Sequence, residues 1–443
     1  MIGKAAAPAD GARGVCTADV RRDGEGDSMP GEITLSAVLN RTTLYPSGQT
    51  QLVYALIEVR PEAAAAQARI PLNLSLVLDK SGSMAGEPIR HLRDAVRALI
   101  DRLGPEDVVS IVTFETRSQV VAPAQPARDR DALKRAVGGI EAGGGTQMSS
   151  GMRLGLQELE RHAGPDRLSR MVLLTDGRSS VEKGCLNRAD EAALKGVPIL
   201  GLGLGIAWNE QLMEEMARRT GGTAYYVAQP QDIGTIFRGA LQSMQVVARN
   251  LTLTLRTVPG ADVRAIWQVV PEIRDVGRGS LGGRTVTVPL PDLEAGGQGL
   301  LAELLLSDRN PGAYRVAQSE VFYDVPRLRL AGERIRCDLL VYYAPDYHAA
   351  QQQNPQVLNL VERLTAYRLQ RRAMEDVTTR NLEGATQKLQ AAATILLEAG
   401  ETELARTYQR EAERLRQQGE LSEEGRKTIT FDTGKTRKLP DLG

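Results

Sequence analysis

Between Pro71 and about Ala248 the chain alternates strand-length apolar runs with amphipathic helical patterns, and this rhythm constrains the fold more than any other feature. The apolar runs are Leu72–Leu78, Val108–Phe114, Met171–Thr175, Ile199–Leu204 and Thr223–Val227. Helical spacing fills the gaps, at His91–Leu103, Asp131–Gly138, Ser149–His162, Asn187–Lys195, Glu210–Thr220 and Ile233–Val246. Strands joined through helices run parallel, and a parallel sheet is covered on both faces. The expectation is a doubly wound α/β domain with a mostly parallel sheet over residues 69–248.

Sequence of a different kind flanks this unit. Strand-like pattern runs from Ile33 to Arg60, broken by a turn at Pro46–Gly48. It returns from Asn250 to about Tyr343, with runs at Leu251–Leu255, Val263–Val270, Thr285–Val288, Leu300–Leu305, Val321–Tyr323 and Ile335–Tyr343. Two or three strands are marginal alone, so those of 33–68 are expected to pair with those of 249–350. The α/β domain is then an insertion into one β-sandwich. Residues 351–419 read as a helical bundle, with glycine closing two helices at Gly400 and Gly419. The helices number too few for a repeat array and are expected to pack on the sandwich. Residues 1–32 are expected to be disordered, with Met29 an alternative start, and residues 420–443 to form a flexible tail.

Within the α/β unit, two strands end alike. Leu74–Leu78 runs into Asp79-Lys80-Ser81-Gly82-Ser83, and Met171–Thr175 runs into Asp176-Gly177. Open α/β sheets bind ligands outside the carboxyl ends of their strands, where strand order reverses. A Gly-rich loop, Gly143-Gly144-Gly145, carries a further hydroxyl at Thr146 just before a helix. Two carboxylates with three hydroxyls form an all-oxygen donor set, which suits a hard cation: Mg²⁺ above all, with Mn²⁺ or Ca²⁺ as alternatives. Neutral hydroxyl ligands leave the ion with residual positive charge, so a vacant position is expected to attract a partner's Asp or Glu.

Asp79-x-Ser81-x-Ser83, Thr146 and Asp176 resemble the five residues of the metal-ion-dependent adhesion site of von Willebrand factor type A (VWA) domains, in the family's order and loops. The resemblance covers roughly residues 70–248. It implies Ser81, Ser83 and often Thr146 as direct ligands, with both aspartates acting largely through water. The flanking strands resemble those of bacterial VWA proteins and, more distantly, the inter-α-trypsin inhibitor heavy chains. The family implies binding of a protein partner rather than an enzyme. It offers, as an alternative, an adaptor for an AAA⁺ ATPase or for a kinase, phosphatase and forkhead-associated (FHA) system.

Other signals are weaker. Gly201-Leu202-Gly203-Leu204-Gly205 lacks the spacing of a dinucleotide fingerprint and is read as the Gly-rich end of an inner strand. No Gly-x-Ser-x-Gly elbow surrounds Ser81 or Ser83, and His91, His162 and His348 have no metal spacing. Trp208 and Trp267 read as hydrophobic anchors. Thr436, with Leu439 three residues on, is a candidate for a kinase and an FHA-domain partner. Fifty-five basic and 55 acidic residues balance, which gives no electrostatic case for nucleic acid or membrane as partner. Three scattered cysteines argue against a disulfide framework. With no secretory signal or spanning segment legible, a cytoplasmic location is expected.

Overall fold

The structure is a computed structural model that describes residues 32–432, except 180, 278, 279 and 283. The expectations for the first 31 residues, Cys16 and Met29 among them, and for Thr436 lie outside the described residues.

The α/β unit forms a six-stranded sheet in the order Ser118–Pro126, Val108–Phe114, Leu72–Asp79, Leu168–Thr175, Ile199–Leu204, Ala224–Val227. All neighbours are parallel except the first pair. The central strands are buried on both sides. Leu74, Leu76 and Leu78 point into a layer built by helices Glu87–Arg102, Arg130–Gly138 and Ile233–Ser243. Val77 points the other way, with Val112, Phe114, Met171 and Leu173, against helices Met148–Glu160, Glu182–Leu194 and Glu210–Thr220. Continuous apolar runs rather than alternating ones follow from this double coverage. The edge strand Ser118–Pro126 is absent from the sequence reading. It runs antiparallel to its neighbour, is mostly half-exposed, and carries Pro123 and Pro126, as an edge tolerates.

Strands from both flanks close one sandwich. Gln51–Pro61 lies between Ile33–Leu39 and Gln298–Leu306, antiparallel to both, with Ile57 opposite Leu300. Ala261–Val270 continues that sheet. The second sheet is built around Val246–Thr257, Gly312–Val325 and Leu330–Tyr343. Val53, Ala55, Ile57, Leu253, Leu255, Val321 and Leu339 fill the space between. The α/β domain therefore leaves the sandwich after Pro61 and rejoins it at Val246. There the Ile70 N–H donates to the Val246 carbonyl at 3.0 Å, which binds exit to entry.

Helices Pro355–Thr378, Leu382–Glu398 and Thr402–Gln418 pack on one another through Ala366, Ala373, Leu389, Ala393, Tyr408 and Leu415. The first also lies on the sandwich, where Val357, Leu360 and Leu364 meet Leu56, Val269 and Leu301. Arg368 fastens it further: its guanidinium lies 4.5 Å from the Trp267 ring centre and donates to Glu303.

Of the flexible tail expected over residues 420–443, residues 433–443 lie outside the described residues, and part of the rest is corrected by a fourth bundle helix, Glu423–Asp432. Its sequence is polar, yet Lys427, Ile429 and Phe431 are buried, because two different domains cover it. Ile429 enters the bundle core, whereas Phe431 belongs to the core of the α/β domain. None of the described helices is long and apolar enough to cross a membrane.

Candidate metal centre

The strand Leu72–Asp79 pairs on one side with Val108–Phe114 and on the other with Leu168–Thr175, so strand order reverses between the first and the last. Asp79 and Asp176 stand at the carboxyl ends of those two strands, the place where an open α/β sheet forms its crevice.

Asp79 is fully buried. Its Oδ1 accepts the Ser81 N–H at 2.8 Å and its Oδ2 accepts the Thr175 hydroxyl at 2.6 Å. Ser81 Oγ lies 3.1 Å from Ser83 Oγ, and Ser83 Oγ donates to Asp176 Oδ1 at 2.8 Å. Hydroxyls thus link the two acids. Thr146 joins them through Gly177: a β-carbon on that glycine would lie 3.5 Å from Thr146 Oγ1. All five residues singled out in the sequence therefore converge at the carboxyl end of the sheet.

The loops are held by their backbones. Gly82 N–H donates to the Gly144 carbonyl at 3.0 Å, and Gly143 N–H to the Lys80 carbonyl at 2.7 Å. These two bonds staple the serine loop to the threonine loop. A third support comes from the Val108–Phe114 strand end, where Thr116 Oγ1 accepts the Gly145 N–H at 2.8 Å and the Glu115 carbonyl accepts the Gln147 N–H at 2.7 Å. Gly144 itself turns through φ +81°, a conformation that side chains strain.

Sequence reasoning assigned no role to Thr175, Glu115 or Thr116. Thr175 closes a strand on the residue before Asp176, and a hydroxyl facing the neighbouring strand's acid was its available signal. The other two lie in a turn with no motif. In the Gly-rich strand, a β-carbon on Gly203 would come within 2.1 Å of the Trp208 ring, so this glycine makes room for the indole and not for a nucleotide.

Electrostatically the site is an acid pair short of positive charge. Burial pushes the Asp79 carboxyl up to about 6, opposed by the hydrogen bonds from Thr175 and Ser81 and reinforced by repulsion from Asp176. Burial also raises Asp176, against the bond from Ser83. The groups acting most strongly on both acids are hydroxyls, backbone N–H groups and the neighbouring acid, not a cationic side chain. Among the described residues no group of three or more His, Cys, Asp or Glu is placed to hold a metal. A cation here would therefore depend on hydroxyl oxygens, which hard Mg²⁺, Mn²⁺ and Ca²⁺ accept. The donor set fits such an ion.

A doubly wound sheet with acid and hydroxyl loops at its switch point defines a VWA domain, and the VWA family description matches residues 73–239. A second family description, the C-terminal α-helical domain of Sll0103-like proteins, matches residues 355–439. The chain belongs to the VWA proteins typified by sll0103 of Synechocystis, to which it is 32% identical over 422 residues, 92% of this chain and 98% of that one. Human inter-alpha-trypsin inhibitor heavy chain H4 is 29% identical over 175 residues, which span 37% of this chain and 19% of the human protein. Among solved structures, a von Willebrand factor type A protein from Catenulispora acidiphila shares the fold across 91% of this chain and 96% of its own, with TM-score 0.64 and 17% identity. The ArnB paralog VWA2 from Sulfolobus acidocaldarius covers 91% and 97%, with TM-score 0.50.

Proposed function

We propose that the chain is a cation-dependent protein-binding module and not an enzyme. Ser81, Ser83 and Thr146 would hold a divalent cation, Mg²⁺ in the first instance, while Asp79 and Asp176 supply the compensating negative charge. When bound, the cation supplies an electrophilic position for a carboxylate oxygen of a protein partner. The chain's own residues keep the hydroxyl oxygens on one face, withdraw Asp79 from water and leave Ser83 at the surface.

One observation carries this reading. A fully buried aspartate shares a hydroxyl network with a second aspartate and has no cationic side chain among its strongest influences. Burying uncompensated charge is costly, and a divalent ion at this place would offset that cost.

The test is affinity capture from the native host with Mg²⁺ present, followed by elution with chelator. Asp79→Ala and Asp176→Ala are expected to abolish the fraction released by chelator and to leave the fold intact by circular dichroism. Equal recovery with and without chelator would refute the proposal.

A further inference from the structure

Beside the metal centre, the α/β domain carries a groove that the structure shows filled by a helix. Its floor is Trp208, buried and held by a hydrogen bond from Nε1 to the Gly205 carbonyl at 2.8 Å. The helix Glu423–Asp432 lies on it with two anchors, Lys427 and Phe431, one helical turn apart. Lys427 Nζ donates to the carbonyls of Ile206 and Trp208 at 2.7 and 2.9 Å and stands 4.1 Å from the Trp208 ring centre. Phe431 packs on the same indole in a tilted arrangement, at 5.4 Å between ring centres. Just before the first anchor, Arg426 pairs with Glu210 on the groove wall.

The fit is chemically specific. Two carbonyls and an aromatic face form a seat for a primary ammonium, and the same indole packs against an aromatic ring at a tilt. The seat is also incompletely closed. A cavity of about 220 Å³ remains along the seam, lined by Arg178, Ile206, Asn209, Gln211 and Glu423. One carboxylate oxygen of Glu210, Oε2, is buried without a hydrogen-bond partner. Ile206 is 49% exposed at the rim. Arg178, on the cavity wall, lies two residues beyond Asp176 in sequence.

The resident helix is short. Ten residues fall below the length at which a helix holds itself in water, so its order comes from its two faces. Its first turn is tied to the bundle, where the Glu411 carboxylate accepts both the N–H and the hydroxyl of Ser422 at 2.7 Å. Neither bond involves the Lys427–Phe431 face.

The geometry points to the Trp208 groove as a helix-docking site of the metal face, occupied in cis by Glu423–Asp432 and open in exchange to a partner helix that presents a lysine and, four residues later, an aromatic ring. The site uses no metal ligand, so it stands whether or not a cation binds at Asp79.

The experiment uses the full chain. Lys427→Ala with Phe431→Ala empties both anchor seats, and Lys427→Ala alone is the milder form. The probe is a fluorescent synthetic peptide of residues 421–432, followed by anisotropy, with a second peptide carrying Lys427→Glu. The double variant is expected to bind the first peptide at least about tenfold more tightly than the wild-type chain does, and to discriminate against the second peptide by a similar factor. Chelator is expected to change neither result, which separates this site from the metal centre. No binding by a variant that keeps the wild-type circular dichroism overturns the proposal, as does equal binding of both peptides.

Discussion

Glu294 offers a quantitative test of how the sandwich meets the α/β domain. It sits on the short strand Leu293–Glu294, opposite Val246 where the chain re-enters the sandwich. Burial and the neighbouring Glu272 push its carboxyl up to about 8, against the pull of Arg170 and Arg274. An unfolded glutamate titrates near 4.5. Between those values the folded chain keeps a proton that the unfolded chain gives up. Stability is therefore full below about 4.5, falls as pH rises toward 8 and stays low above it. The ceiling is about 5 kcal/mol at 1.36 kcal/mol per pH unit. Glu294 is half-buried, and screening by the solvent it retains brings the expected effect to about 2–3 kcal/mol. Glu294→Gln mimics the protonated form at every pH. Urea titrations at pH 5 and pH 9 on both proteins give a double difference in which all other titrations cancel. The two proteins are expected to match at pH 5, and the variant to be more stable by about 2–3 kcal/mol at pH 9. Parallel stability curves for the two would refute the burial argument.

Two further outcomes follow from packing. Asp107 is buried and accepts four bonds: two from Arg69 at 2.9 and 2.8 Å, one from the Leu72 N–H at 2.9 Å and one from the Gly104 N–H at 2.7 Å. Asp107→Ala strands those donors and is expected to cost about 3–5 kcal/mol by chemical denaturation; a loss below about 1 kcal/mol would mean water replaces the carboxylate freely. A β-carbon on Gly222 would lie 2.0 Å from the Ile199 carbonyl oxygen, a backbone atom that cannot swing aside. Gly222→Ala is therefore expected to lower the melting temperature sharply or to prevent soluble expression, whereas an unchanged melting curve would show that the two segments can separate.

The α/β architecture was legible because its strands are buried on both faces, so each reads as an unbroken apolar run flanked by amphipathic helices. The five site residues were legible for a related reason: strand ends are fixed by those runs, and acids at two of them are unusual. What escaped the reading lacked a local pattern. Ser118–Pro126 is an edge strand with prolines and little burial, and its place is set by pairing with Val108–Phe114. Glu423–Asp432 buries Lys427, Ile429 and Phe431 into two separate cores. No single helical face of the sequence EEGRKTITFD is apolar, because each contact is supplied by a different domain. The helix Glu182–Leu194 begins five residues before the expected Asn187, since its first turn is charged and exposed. Thr175 reads as the last residue of a strand, and its bond to Asp79 spans 96 residues of chain.

The doubled stem of the inserted domain has a mechanical consequence. Residues 61–70 lead out of the sandwich, Val246 leads back in, and the Ile70–Val246 bond clasps the two where they cross. The Asp79 loop lies at the far end of Leu72–Asp79, the first strand this stem leads into. A tug on anything gripped there is shared by two anchoring strands, Gln51–Pro61 and Val246–Thr257, each paired along both edges within its own sheet. Such a mount resists shear across many hydrogen bonds at once, where a domain hung from one linker would yield at its single thread.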